Sequence, residues 1–312
     1  MQPILVIRYG GFGDIVLSMA AFRTIRAHHQ ATRIAALTTP RFRDLLEQSG
    51  YFDEIVTDRR RKFSGWIGLV RQLRRRRFSR VYDLQRNTRT TILYRALGAG
   101  RRLEWSGVIP GSSHFVADDP DDRRHIVDRL AEQLAIAGIP QMLPADLAWL
   151  TADLTGFALP QPYALLVPGG APHRPEKRAP AECFAALARH LKGQGVAPVL
   201  LGTASERQQI DTILAGCPDA IDLSERTSFG DIAELARHAV GAIGNDTGPM
   251  HLAAAVGCPS LVLFSAASDP CRIAPRGRHV EILQTDELRT LEAARLIAAW
   301  EAVANPAAAQ PA

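Results

Sequence analysis

Short apolar runs alternate with longer amphipathic stretches along most of this chain. That alternation predicts an α/β protein built on parallel sheets. Ile4-Leu5-Val6-Ile7 is too short for a helix and carries no polar break, so it reads as a buried strand. From 14 to about 29, apolar side chains recur at helical spacing through Ile15, Met19, Phe22 and Ile25. Three more strands are predicted at 33–37, 54–56 and 81–84, with helices at about 41–48, 65–77 and 88–97. Residues 98–122 are irregular, and 123–137 is an amphipathic helix.

The pattern then starts over. A strand at 163–167 ends in Pro168-Gly169-Gly170, and a helix at 180–192 has Pro180 in its first turn. A strand at 198–201 stops at Gly202, and helices follow at 205–214 and 231–238. The apolar run 239–243 feeds a polar turn, 252–256 looks helical, and 261–264 is a strand. The Pro-rich segment Leu159-Pro160-Gln161-Pro162 separates the two series. The expectation is two Rossmann-like domains, 1–158 and 159–285, with parallel sheets facing across a cleft. A last helix over 286–304 has no sheet of its own left and is free to cross back to the first domain. The low-complexity end, 305–312, reads as a disordered tail.

Composition narrows the class. With 312 residues, 46% hydrophobic and 22% charged, the chain suits a soluble globular protein with two cores. Cys183, Cys217, Cys258 and Cys271 form no CxxC and have no His at metal spacing, so they read as buried thiols in a reducing compartment. A strand begins almost at the N-terminus, leaving no secretory signal, and no apolar stretch nears the roughly 20 residues needed to span a bilayer. The reading is a cytoplasmic monomer.

Charge is unevenly placed. Residues 1–155 hold 24 Lys/Arg against 16 Asp/Glu, and 156–312 hold 13 against 16. Two clusters dominate, Arg59-Arg60-Arg61-Lys62 and Arg74-Arg75-Arg76-Arg77. They are either solvated faces or a surface for an anionic partner, such as phosphorylated lipid headgroups or a membrane face. Nucleic acid is disfavoured, because no aromatics interleave the arginines for base stacking.

Four strand-to-helix loops carry candidate chemistry. Gly244-Asn245-Asp246-Thr247-Gly248-Pro249-Met250-His251 follows an apolar run and opens a helix. Free N–H groups and the positive end of the helix dipole make such a turn an anion site. Gly10-Gly11-Phe12-Gly13-Asp14 partly mimics a dinucleotide fingerprint, but the third glycine is replaced by Val16. The end of the second strand holds Thr38-Thr39-Pro40 and no ribose-binding acid, which argues against a NAD enzyme. Asp14 reads either as a helix cap or as a general base. In the loop 167–180, Lys177 and Arg178 precede a helix start, where the dipole disfavours cations unless an anion intervenes. In Gly202-Thr203-Ala204-Ser205-Glu206, the acid reads as a first-turn helix residue or as a ribose ligand. Glu225-Arg226-Thr227-Ser228-Phe229 looks like a plain helix start. Asp118-Asp119-Pro120-Asp121-Asp122 invites a metal reading, yet its irregular setting favours a solvated loop.

These residues resemble the ADP-heptose–lipopolysaccharide heptosyltransferases, glycosyltransferase family 9, over about 3–300. Gly-Phe-Gly-Asp at 11–14, Pro-Gly…Lys-Arg-x-Pro at 168–180 and Asp-Thr-Gly-Pro-Met-His at 246–251 carry the likeness. It implies a GT-B fold and an inverting transfer of heptose from ADP-heptose, without metal or cofactor. The acceptor would be the lipopolysaccharide inner core or a related anionic glycan, met at the cytoplasmic face of the inner membrane. By this likeness Gly11, Phe12 and Gly13 form the acceptor-side loop, and Asp14 deprotonates the acceptor hydroxyl. Lys177 neutralises the diphosphate leaving group, with Arg178 beside it. Asp246, Thr247 and Gly248 hold diphosphate and sugar, with His251 close by. Glu206 contacts the ribose, and Thr227 the adenine through its backbone. Ala179 stands where the family often has an aromatic, and Pro172-His173 where it often has Thr or polar residues. Those departures bear on the donor sugar. The alternatives are another nucleotide-sugar donor, a sugar-nucleotide epimerase of the same architecture, or a binding protein that tolerates loss of Asp14.

Overall fold

In the computed structural model, which describes residues 2–59, 63–98, 103–119, 121–171 and 173–304, the chain divides into two units, Met1–Trp149 and Leu150–Ala312. Arg60, Arg61 and Lys62 of the first basic cluster, Pro120, Pro172 and the expected tail at 305–312 lie outside the described residues.

The first unit runs β1 (Ile4–Ile7), α1 (Phe12–Leu17), α2 (Met19–His28), β2 (Ile34–Thr38), α3 (Arg43–Gln48) and β3 (Glu54–Thr57). It continues with α4 (Phe63–Arg76), β4 (Arg80–Asp83), α5 (Thr88–Leu97), β5 (Glu104–Gly107), β6 (His114–Phe115) and α6 (Ile126–Ile136). All its strands are parallel, in the order β3-β2-β1-β4-β5-β6. Leu5, Ile7, Leu37, Leu73, Val81 and Trp105 form the centre of its core. Two expectations change here. The helix expected from 14 to 29 is broken at Ser18, whose hydroxyl donates to the Asp14 carbonyl at 2.7 Å and competes with the helical ladder. The stretch 98–122, expected to be irregular, supplies β5 and β6. The sequence Glu-Trp-Ser-Gly has no apolar run, but a strand beside β4 is enough to bury Trp105 fully.

The second unit runs β7 (Tyr163–Val167), α7 (Ala181–Gly193), β8 (Ala197–Leu200), α8 (Arg207–Gly216), β9 (Ile221–Asp222) and α9 (Phe229–His238). Then come β10 (Gly241–Asn245), α10 (Gly248–Ala255), β11 (Ser260–Phe264), α11 (Pro270–Ile273), β12 (Val280–Gln284) and α12 (Ala293–Ala304). Its parallel sheet has the order β12-β11-β10-β7-β8-β9. Counted within each unit, both sheets repeat the Rossmann order, with the direction of winding reversing at β1/β4 and at β7/β10.

The units divide ahead of the Pro-rich segment, not at it. Residues 150–152 pack on the second unit: Arg237 donates to the Leu150 carbonyl at 2.8 Å, and a Cβ on Gly230 would lie 2.9 Å from the Thr151 carbonyl. The last helix also belongs to the second unit. Leu296, Trp300 and Val303 of α12 join Phe184, Leu187, Leu261 and Leu263 in one core. Trp300 lies over β10 at Gly241, where a Cβ would come within 2.7 Å of the indole. Crossing back would strip this apolar face of its partner. Cys183, Cys217 and Cys258 are buried as expected, whereas Cys271 is exposed on the four-residue α11, which carries no buried side chain.

Candidate functional site

Asp14, Lys177, Arg178 and the residues 246–251 follow the strands where each sheet reverses its winding, the usual ligand position in open α/β sheets, while Glu206 and Thr227 follow β8 and β9. In the second unit the loop after β7 lies beside the loop after β10. Asn245, fully buried at the end of β10, joins them. Its amide nitrogen donates to the carbonyls of Pro168 (2.7 Å) and Gly169 (3.0 Å), and its oxygen accepts from the Ala179 N–H (3.0 Å). One side chain thus fixes both ends of the loop that carries Lys177.

Asp246 follows. Its Oδ2 accepts from Lys177 Nζ at 2.8 Å, and its Oδ1 lies 3.5 Å from His251 Nε2. All three side chains are largely buried. Burial alone would raise the Asp246 pKa, but His251 and Lys177 outweigh it and hold the carboxyl below its ordinary value. The cation expected to need an anion at a helix start meets one here in Asp246. Lys177 lies in a short 3-10 turn, Pro175–Lys177, ahead of α7. A carboxylate at this position repels a diphosphate. What it can do is orient Lys177 and His251 and accept from sugar hydroxyls.

The anion-binding end lies next door. Helix α10 starts at Gly248, earlier than the sequence pattern suggested, so His251 is a buried helical residue. Thr247 occupies the N-cap position but does not cap: its hydroxyl bonds to the Asn245 carbonyl at 3.1 Å. Pro249 has no N–H to satisfy. Met250 and His251 N–H donate to the Thr247 carbonyl at 3.1 and 3.2 Å, so the Gly248 N–H and the positive end of the helix dipole are what this end offers an external anion.

The remaining donor-side residues are tied down locally. Arg178 donates to the Gly170 carbonyl at 2.6 Å, bracing its own loop. Glu206 is buried and acts as a first-turn cap. Its Oε2 accepts from Thr203 N–H (2.8 Å) and hydroxyl (2.7 Å), and its Oε1 from the Ser205 hydroxyl (2.6 Å). Burial opposes ionisation there, but Ser205 and Thr203 keep the pKa below its ordinary value. Thr227 precedes Ser228, which caps α9 in a reciprocal pair with Asp231.

In the first unit, Asp14 stands in the first turn of α1 rather than at its cap. Its Oδ2 accepts from Gly11 N–H at 2.8 Å and its Oδ1 from Arg8 Nη2 at 3.0 Å, while the side chain stays 49% exposed. Gly10 makes this possible: φ is +98°, and a Cβ would lie 2.4 Å from Asp14 Oδ2. Phe12 turns inward and stacks on Phe42 at 6.4 Å, so of the expected acceptor-side loop only Gly11 and Gly13 remain outside the core.

Three residues behind Asp14 escaped the sequence reading. Arg8 is buried, and it also donates to the carbonyls of Leu84 and Asp14. Burial lowers its pKa against the pull of Asp14 and Asp83. Asp83, fully buried at the end of β4, is pushed up to about 6 by desolvation. Gln85 accepts from Tyr9 N–H at 2.6 Å. Their one signal is position: each charge ends an apolar strand.

The acidic run at 118–122 is not simply solvated. Asp118 pairs with Arg86 and Arg129, and Asp122 with Arg124 and Arg129. Among the described residues, no three His, Cys, Asp or Glu side chains group as a metal site would require.

Comparison with known proteins bears on the family and the fold. Residues 66–296 match the family model for glycosyltransferase family 9 (heptosyltransferase). The chain is 26% identical over 292 residues to lipopolysaccharide heptosyltransferase 2 of Escherichia coli K12, covering 86% of this chain and 84% of that protein. The solved ADP-heptose lps heptosyltransferase II of E. coli superposes with a TM-score of 0.77 at 22% identity, over 98% of this chain and all of that one. A family 9 glycosyl transferase from Veillonella parvula gives 0.83 at 20% identity, over 98% of each chain. The shared fold is GT-B.

Proposed function

This chain belongs to glycosyltransferase family 9, and from that premise we propose that it transfers heptose from ADP-heptose to a lipopolysaccharide inner-core or related glycan acceptor, with inversion and without a metal. The observation that carries this reading is the buried Lys177–Asp246–His251 cluster beside the uncapped start of α10.

In this reading the Asp14 carboxylate takes the proton of the acceptor hydroxyl. The resulting oxygen attacks the anomeric carbon as the bond to the diphosphate breaks, and negative charge passes to the leaving ADP. Lys177 and the N-terminal end of α10 stabilise that charge more in the transition state than in the ground state. Asp246 holds Lys177 in place and accepts from sugar hydroxyls. Arg178 braces the diphosphate loop, Glu206 faces the ribose and the Thr227 backbone faces the adenine. The enzyme works as a monomer at the cytoplasmic face of the inner membrane, where its basic first unit meets an anionic glycolipid.

The test is a panel of ADP-, GDP- and UDP-sugars offered with core-truncated lipopolysaccharide, read as the acceptor's mass gain. We expect one heptose to be added from ADP-heptose, and Asp14→Asn to lower the rate by about 100-fold or more. Mass gain from another donor would reassign the substrate. Nucleotide release without an acceptor would indicate an epimerase. Full activity in Asp14→Asn would remove the proposed base.

A further inference from the structure

The first unit holds a second concentration of buried charge, outside the residues assigned above. Arg86 lies in the loop after β4, next to Gln85 and so at the winding reversal of the first sheet. Its side chain is 8% exposed, and that of Arg129, on α6, is 7% exposed. Both guanidinium groups reach the same oxygen, Asp118 Oδ1, at 3.2 and 2.6 Å. Asp118 itself is half exposed. The other nearby acid, Asp122, is shared between Arg124 at 2.9 Å and Arg129 at 3.2 Å. Arg86 Nε and Nη2 are buried with no hydrogen-bond partner among the described residues.

This is a poor resting arrangement for two arginines. Desolvating a guanidinium is costly unless its donors are used, and like charges side by side add to the cost. The Arg86 pKa is lowered by burial and then by Arg129, with Asp118, Asp122 and Glu132 only partly compensating. One shared carboxylate oxygen cannot use two planar forks, each built for bidentate pairing. A tetrahedral phosphoryl group brings at least three acceptor oxygens and a higher charge.

We infer that Arg86 and Arg129 form an anion subsite for a phosphoryl group carried by the acceptor, with Asp118 as the internal stand-in that the phosphoryl group displaces. The inference rests on the reading of this unit as acceptor-binding, and it adds a chemical class to that acceptor. Asp118 then competes with the ligand, a role that separates this site from a structural ion pair.

Two arms test it on the full chain. In the first, inorganic phosphate is titrated calorimetrically into protein saturated with ADP, which occupies the Lys177 site. We expect Arg86→Gln to weaken binding about tenfold or more and Asp118→Asn to tighten it several-fold, since the competitor is removed. Unchanged binding in Arg86→Gln, or unchanged or weaker binding in Asp118→Asn, overturns the subsite. Asp118→Asn keeps the test decisive if Arg86→Gln does not fold. In the second arm, transfer to phosphorylated and to enzymatically dephosphorylated acceptor is compared. The ratio of the two kcat/KM values should fall about tenfold in Arg86→Gln. An unchanged ratio means that free phosphate binds there but the acceptor's phosphoryl group does not, which also overturns the proposal. Phosphate binding that follows the first arm without any transfer would leave the subsite standing and remove the transferase reading instead.

Discussion

Asp83 departs further from ordinary side-chain behaviour than Asp14, the residue it stands behind. It is fully buried, and its Oδ1 accepts from Gln85 N–H at 3.1 Å. Desolvation raises its pKa from 3.8 to about 6. The folded state therefore holds the proton more tightly than the unfolded chain does. The associated stability is complete below about pH 4 and is lost as pH rises through about 6. At roughly 1.4 kcal/mol per pKa unit, the loss is about 2–3 kcal/mol. Asp83→Asn keeps the shape and removes the titration. Urea unfolding of wild type should show stability falling from pH 4.5 to pH 7 relative to the variant, and parallel curves would show that Asp83 is ordinary. The sequence announced this residue poorly: Asp83 fell inside the strand expected at 81–84, and nothing there set it apart as a buried acid. The same blind spot hid Arg8. Asp246 and Asp14 stood out as candidates because each lies in a glycine-rich turn, and Lys177 because a cation precedes a helix start.

At the scale of elements, the candidate donor site depends on one strand end. Asn245 makes three buried hydrogen bonds to the loop after β7, and these fix the approach of Lys177 to Asp246. Removing the amide leaves two carbonyls and one N–H buried without partners, at about 1–3 kcal/mol for each group. Asn245→Ala should cost about 3 kcal/mol or more in urea unfolding and weaken ADP binding about tenfold or more. Hydrogen exchange should then speed up over 168–180 while the β1 and β4 amides stay protected. A variant that loses stability but keeps wild-type ADP affinity and loop protection would deny Asn245 its positioning role. Elements with a continuous apolar run, β1, β7 and β11, could be read from sequence almost to the residue. Those buried by their neighbours could not: β5 has one large apolar side chain, and β6 and β9 are two residues long. The last helix was legible as a helix, but not in its start, which lies at Ala293 rather than at 286, nor in its partner. An amphipathic pattern gives a face without saying what covers it, and Trp300 over Gly241 decides that here.

For the whole molecule the deciding quantity is where charge stays unpaired. Residues 63–98 carry nine arginines and a single acid, Asp83, which is buried. Arg76, Arg80, Arg86 and Arg89 are committed to Glu54, Glu104, Asp118 and Asp58. Arg71, Arg74, Arg75, Arg77 and Arg95 are exposed, with no ion pair among the described residues. Ile67 of α4 and Ile92 of α5 are exposed apolar side chains. No described helix is long and apolar enough to cross a membrane. Each arginine near an anionic surface contributes about 1 kcal/mol, and the attraction decays within a Debye length of roughly 8 Å at physiological salt. Five such residues, at about 1 kcal/mol each, predict adsorption to anionic vesicles at low salt and release at high salt. Sedimentation with vesicles containing phosphatidylglycerol should therefore bring most of the protein down in dilute buffer and release it at several hundred millimolar salt. Phosphatidylcholine vesicles should bind little at either. Replacing Arg71, Arg74 and Arg75 together by Glu should reduce binding by more than tenfold, and it should leave ADP affinity alone because the expected nucleotide residues belong to the second unit. Equal binding to neutral vesicles would assign the contact to Ile67 and Ile92, and full binding by the triple variant would move the anionic surface away from α4.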